Sequence, residues 1–131
     1  MKRDMDLVRK ILFKMADNDK HSSYSPGHLK VDGYTQQQVD YHLKMMAQAD
    51  LLHIDTMEQT SYVSKSPEWT TPKVYVSYYS VSWNGHEFLE AARDNTRWEK
   101  AKGAMAHAGG FAVDVMKQLL IQYLKEELKL P

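Results

Sequence analysis

The chain has 131 residues and carries 17 basic and 17 acidic side chains, so its formal net charge at neutral pH is zero. That length suits one domain with one core, and 43% hydrophobic against 26% charged residues excludes the low-hydrophobicity, high-charge regime of disordered chains. Without cysteine there are no disulfides, thiolate nucleophiles or cysteine-based zinc sites, and the balanced charge removes the global positive field with which non-specific nucleic-acid binders attract phosphates.

No stretch approaches the roughly 18 consecutive apolar residues of a membrane span. Met1-Lys2-Arg3-Asp4 leads into an acidic amphipathic segment rather than the apolar run of a signal peptide, so a cytoplasmic location is expected. Val8, Ile11, Leu12 and Met15 then recur at helical spacing behind Asp4 as N-cap, with Arg9, Lys10 and Lys14 largely outside that stripe. The helix should stop near Asp17-Asn18-Asp19, and the Ser-, Tyr-, Pro- and Gly-rich stretch to Gly27 reads as a loop. His28-Leu29-Lys30-Val31 is a short strand candidate closed by Asp32-Gly33.

Thr35 and Gln38 complete a Thr-x-x-Gln capping box before a second helix whose inner stripe is Val39, His42, Leu43 and Met46. It ends at Ala49-Asp50, where Asp can take the left-handed conformation that Gly usually fills. Leu52 to Val63 and Val74 to Val81 are β-prone and flank Ser64 to Lys73, with Pro67 and Pro72, which predicts a hairpin with a long loop. Ser82 is positioned to cap a third helix through Phe88, Leu89 and Ala92, continued by Trp98, Ala101 and Met105 until Ala108-Gly109-Gly110 breaks the path. In the last helix Val113, Met116, Leu119, Leu120, Tyr123, Leu124 and Leu128 form a stripe broader than a terminal helix needs, so something must cover it.

This order predicts an α+β, mainly α fold: a reduced winged-helix domain over residues 1–95 (helix, short strand, helix, β-hairpin wing) with a C-terminal helical extension, 96–131, packed on it as one unit. The supporting helix that usually precedes the recognition helix is shortened or lost, because Asn18 to Gly33 is broken by Pro and Gly, and a single turn could substitute for it.

Met1-Lys2-Arg3-Asp4-Met5-Asp6-Leu7, Tyr41-His42, Ser82-Trp83-Asn84-Gly85-His86-Glu87-Phe88-Leu89, Arg93-Asp94 and Trp98 together resemble the uncharacterised bacterial and phage "domain of unknown function" family numbered 2513. The chain departs from the expected Ala-Gly-Leu after the second helix with Ala49-Asp50-Leu51, a change confined to the cap. The resemblance implies a winged-helix-like fold and a phage or prophage origin; it supplies no catalytic or binding residues.

If the second helix reads DNA, the side chains available to it are Gln36, Gln37, Tyr41, Lys44 and Gln48, with Lys65 and Lys73 flanking the hairpin loop as phosphate contacts. Only Lys44 is basic in that helix and Asp40 opposes it, so a purely solvated polar face is the alternative. Residues 1 to 20 form the most basic region, with six basic and four acidic side chains, and read as an ordinary solvated face. A protein partner or second subunit would meet Trp69 in the hairpin loop or Met116, Leu119 and Tyr123 on the last helix, the alternative being burial of that stripe within the chain.

His42 falls in the apolar stripe and reads as a buried histidine bonded to backbone. His86-Glu87 lacks the second histidine of a zinc protease, since Glu90 stands there, and no nucleophile elbow or phosphate-cradling loop is present. Trp83, Phe88 and Trp98 read as core or inter-helix anchors. The sequence therefore points to a non-enzymatic protein without cofactor, metal or small-molecule substrate, whose partner is either DNA or a host protein, with homodimerisation through the C-terminal helix as a further expectation.

Overall fold

A computed structural model of the chain describes residues 1–18, 20–60, 73–107 and 112–129. Its elements are α1 (Met5–Ala16), α2 (Gln36–Gln48), β1 (Leu52–Thr60), β2 (Lys73–Val81), α3 (Trp83–Ala92), α4 (Asn95–His107) and α5 (Val113–Glu127). The expected glycine break at 109–110 and the hairpin loop with Lys65, Trp69, Pro67 and Pro72 lie outside the described residues.

Local chemistry sets the helix starts. The Asp4 carboxylate accepts the Asp6 and Leu7 amides at 2.9 and 3.2 Å, satisfying donors that the first turn leaves unpaired. The capping box at Thr35 is complete, with Gln38 N–H donating to Thr35 Oγ1 (3.2 Å) and the Thr35 amide donating to Gln38 Oε1 (2.9 Å). Ser82 Oγ accepts the Gly85 amide at 3.0 Å to start α3. Between α2 and β1, Asp50 takes φ 60°, the left-handed geometry expected from its position.

β1 and β2 pair antiparallel in the register Leu52 opposite Val81 and Thr60 opposite Lys73. The short strand expected at His28–Val31 is not formed. Its place beside β2 is taken four residues earlier, where Tyr24 and Tyr79 exchange both backbone hydrogen bonds (2.8 and 2.7 Å) as an isolated bridge. Leu29 is instead buried as a core plug, and the chain reaches α2 through turns at Gly27 and Gly33, both at positive φ.

The helical run expected from Ser82 to Met105 divides at Arg93-Asp94, because the Asp94 side chain accepts the Arg97 amide (2.8 Å) and starts a new helix. Arg9 braces that joint, donating to the carbonyls of Ala92 (2.7 Å) and Arg93 (2.8 Å) and to Asn95 Oδ1 (2.8 Å), so it is not the solvated residue the pattern of α1 suggests.

One core joins all five helices and the base of the hairpin: Leu7, Ile11 and Leu12 of α1, Leu43 and Met46 of α2, Leu52 and Tyr79 of the hairpin, Phe88 and Leu89 of α3, Trp98 of α4, and Met116 and Leu120 of α5. Phe88 and Trp98 meet edge to face at 6.1 Å, as anchors should. Trp83 does not join them. It is 83% exposed, because the first residue of α3 points away from the face that Phe88 and Leu89 bury.

Candidate nucleic-acid interface

A helix turns 100° per residue, so in α2 the buried set Val39, His42, Leu43 and Met46 leaves Gln37, Tyr41, Lys44 and Gln48 on the diametrically opposite side. All four are exposed, and none uses its side chain in a hydrogen bond or ion pair with a described residue. Tyr41 touches only the edge of the His42 ring, at 5.8 Å. Gln36, grouped with them on sequence, is committed elsewhere: its amide donates to the Leu29 carbonyl (3.0 Å) and to Asp40 Oδ1 (2.9 Å). Asp40 also accepts the Gly27 amide (3.0 Å), so this pair ties the preceding loop onto α2.

The inner face of α2 is fixed by His42, which is 1% exposed. The Asp4 backbone amide donates to its Nε2 at 2.8 Å, and Nδ1 lies 2.7 Å from the Gln38 carbonyl. A ring that accepts at Nε2 must carry its proton on Nδ1 to satisfy that carbonyl, so the ring is the neutral tautomer bonded to backbone on both sides. Beside it lies a cleft of about 350 Å³ lined by residues 1–7, Tyr34, Gln38, His42 and Lys102. Its carboxylates are occupied: Asp4 accepts the Tyr34 hydroxyl (3.2 Å), and Asp6 accepts the Trp98 indole (2.8 Å) and pairs with Lys102 (2.9 Å). Burial works against the charge on Asp6, but the indole and the ammonium outweigh it and hold its pKa below the ordinary value.

The hairpin leaves the body directly after α2. Leu52 and Tyr79 are buried at its base, while farther out Ile54 (46% exposed) and Tyr75 (62%) share that face and Met57 (59%) and Val74 (42%) occupy the other. Its described charges are Asp55, bonded to His53 at 3.1 Å, and Glu58. Lys65 and Trp69 lie outside the described residues, as does the Lys73 side chain, although the Lys73 backbone closes the ladder opposite Thr60.

The apolar stripe of α5 is covered in part from within the chain. Met116, expected to face a partner, is 0% exposed in the core, and Leu119 and Tyr123 are partly buried against it. The Lys100 ammonium sits 4.1 Å over the Tyr123 ring. Val115 and Leu128 are the large apolar side chains that α5 and its cap leave exposed.

The cations of the described residues divide into paired and unpaired ones, Lys100 and Lys125 being among the unpaired. Arg93 pairs with Asp17 (2.9 Å) and Glu90 (3.1 Å), Arg97 with Glu127 (2.7 Å), Lys102 with Asp6 and Glu99, and Lys117 with Glu87. Lys10, Lys14, Lys30 and Lys44, on α1, on the loop before α2 and on α2, have no ion pair with a described residue. Among the described residues no group of three His, Asp or Glu is placed to hold a metal ion, and no helix is long and apolar enough to cross a membrane.

The described residues thus define a mainly helical α+β chain with one two-stranded hairpin and an outward polar helix face. The chain belongs to the family described as "Hypothetical protein (DUF2513)", whose model matches residues 2–111. It is similar to an uncharacterized protein of Haemophilus influenzae, 29% identical over 123 residues that cover 91% of this chain and 92% of that protein. No solved structure matches it.

Proposed function

We propose that this chain is a non-enzymatic winged-helix module, of phage or prophage origin, that binds duplex DNA with the outward face of α2 in the major groove and the β1–β2 hairpin as wing. The observation that carries the reading is the line of Gln37, Tyr41, Lys44 and Gln48, opposite the buried face, whose side chains make no hydrogen bond or ion pair with a described residue. Gln reads adenine edges and Lys reads guanine edges or phosphate, so this face has the donors and acceptors that base recognition uses. The element order supports it, and so does the Tyr24–Tyr79 bridge, a single extended residue pairing with β2 on the side away from β1.

The test is selection from a pool of random-sequence duplexes at low salt. Enrichment of a common sequence is expected, with affinity falling steeply as salt rises, weakened by Lys44→Ala and with altered base preference in Gln37→Ala. Failure to retain any duplex at low salt refutes the reading.

A second reading, docking of a host protein, is favoured by the hairpin itself. Ile54, Met57, Val74 and Tyr75 are exposed there on both faces, next to acidic Asp55 and Glu58, which phosphates would repel. That reading predicts that substitutions in the hairpin, and not in α2, abolish partner binding.

A further inference from the structure

The DNA reading leaves one difficulty: α2 offers a single cation, whereas binding to a duplex is anchored mainly by contacts to phosphate. Positive charge is available beside it. The Lys10 ammonium lies 5.3 Å over the ring of Tyr34, the residue immediately before the N-cap of α2. Lys14 donates to the backbone carbonyl of Lys30, which sets α1 against the loop leading into α2. The neighbouring Leu29 carbonyl accepts Gln36, in the first turn of α2. Three exposed lysines therefore bracket the loop 29–34 at the N-terminal end of α2.

Arg97 and Lys102 of α4 and Lys117 of α5, by contrast, meet carboxylates. The carboxylates nearest the trio in the chain are otherwise disposed. Asp40 is held by Gly27 and Gln36, Asp17 by Arg93, and Asp6 by Trp98 and Lys102 while remaining within electrostatic reach of Lys10; Asp32 is exposed in the loop. Three lysines without an ion pair to a described residue are thus gathered around the start of α2.

We infer that Lys10, Lys14 and Lys30 form a phosphate-anchoring ridge that holds a DNA duplex alongside α2. The inference rests on the DNA reading of α2 and adds to it the contacts that set affinity without setting sequence. A recognition helix presents its N-terminal residues to base edges while the preceding elements cross the backbone, and these lysines stand on those preceding elements.

The experiment measures affinity for a random-sequence duplex as a function of salt, for the wild type, for Lys10→Gln, Lys14→Gln and Lys30→Gln singly and combined, and for Gln37→Ala. Each neutralised lysine should reduce the slope of log affinity against log salt by about 0.9, and the triple variant by nearly three times that. The losses should be equal for every sequence, whereas Gln37→Ala should change preference and leave the slope alone. Far-UV circular dichroism, expected to be unchanged because the substituted side chains are exposed, separates lost contacts from lost fold. A triple variant that keeps the wild-type slope while the wild type binds DNA overturns the ridge and leaves the α2 reading standing. Tighter binding of the wild type to single strands than to duplex overturns the duplex assignment, and no binding of the wild type to any duplex overturns both.

Discussion

Gly85 sits in the first turn of α3, where a helix would ordinarily gain from any side chain. Replacing an interior helical Gly with Ala stabilises by roughly 1 kcal/mol through propensity alone. Here the sign should reverse. A Cβ at position 85 would lie 2.0 Å from the Leu51 carbonyl oxygen and 2.9 Å from Val81 Cγ1, against ordinary contact beginning at 3.4 Å. The nearer obstacle is backbone, and it is held: the same Leu51 oxygen accepts the Ser82 amide at 3.1 Å, and Ser82 Oγ and Asn84 both donate to the Asp50 carbonyl next to it. Making room moves α3 away from the α2–β1 corner by more than an ångström and strains three hydrogen bonds whose net worth is about 1 kcal/mol each. Offset by propensity, Gly85→Ala should lose about 2 kcal/mol. Urea unfolding followed by far-UV circular dichroism should show an earlier midpoint at unchanged slope, and melting should fall by roughly 8 °C for a chain of this size. A variant as stable as the wild type, or more so, would show that the corner yields and that the close approach does not organise α3.

His42→Leu comes close to the volume but leaves the Asp4 amide and the Gln38 carbonyl without their side-chain partner; a loss of about 2 kcal/mol is expected in the same urea assay, and an unchanged midpoint would refute the pair of hydrogen bonds to backbone. The third prediction concerns acid. Asp17, hydrogen-bonded to Arg93, and Asp6 are both held below the ordinary carboxylate value. A carboxylate with a depressed folded pKa contributes stability that is fully present above its unfolded value and is lost as pH falls through the folded one. The melting temperature should therefore drop below about pH 4, where carboxylates begin to protonate. Asp6→Asn combined with Asp17→Asn should blunt that drop, and an acid limb identical to that of the wild type would contradict the assignment.

Features governed by a few adjacent residues were legible before any coordinates. The caps at Asp4, Thr35 and Ser82, the left-handed Asp50 and the backbone-bonded His42 each follow from local hydrogen-bond geometry or from helical spacing. Features governed by residues distant in the chain were not. Nothing around Tyr24 marks it as the partner of Tyr79, because a single bridge has no alternation to read, whereas His28–Val31 imitates a strand by alternating polar and apolar residues before a turn. Arg9 resembles a surface residue until the α3–α4 joint supplies carbonyls for it, and Arg97, 6% exposed, is buried by donating to the Ala91 carbonyl (2.6 Å) and to Glu127. The outward line on α2 was readable from periodicity except at Gln36, whose two acceptors come from the loop and from the next turn. Trp83 was misread for a related reason: aromatic size predicts burial on average, but the direction of the first residue of a helix is set by its cap.

The family resemblance runs to residue 111, yet Met116 and Leu120, both beyond it, are fully enclosed in the same core as Phe88 and Trp98. The similarity to the Haemophilus influenzae protein, which covers 91% of this chain, itself passes residue 111, so that boundary is the end of the family model and not the end of the core. α5 acts as a keystone, closing with two apolar side chains one turn apart a core that α1 opens from the other end of the chain. A chain cut where the family model ends would leave that core open, so the unit that folds cooperatively is longer than the segment the model spans.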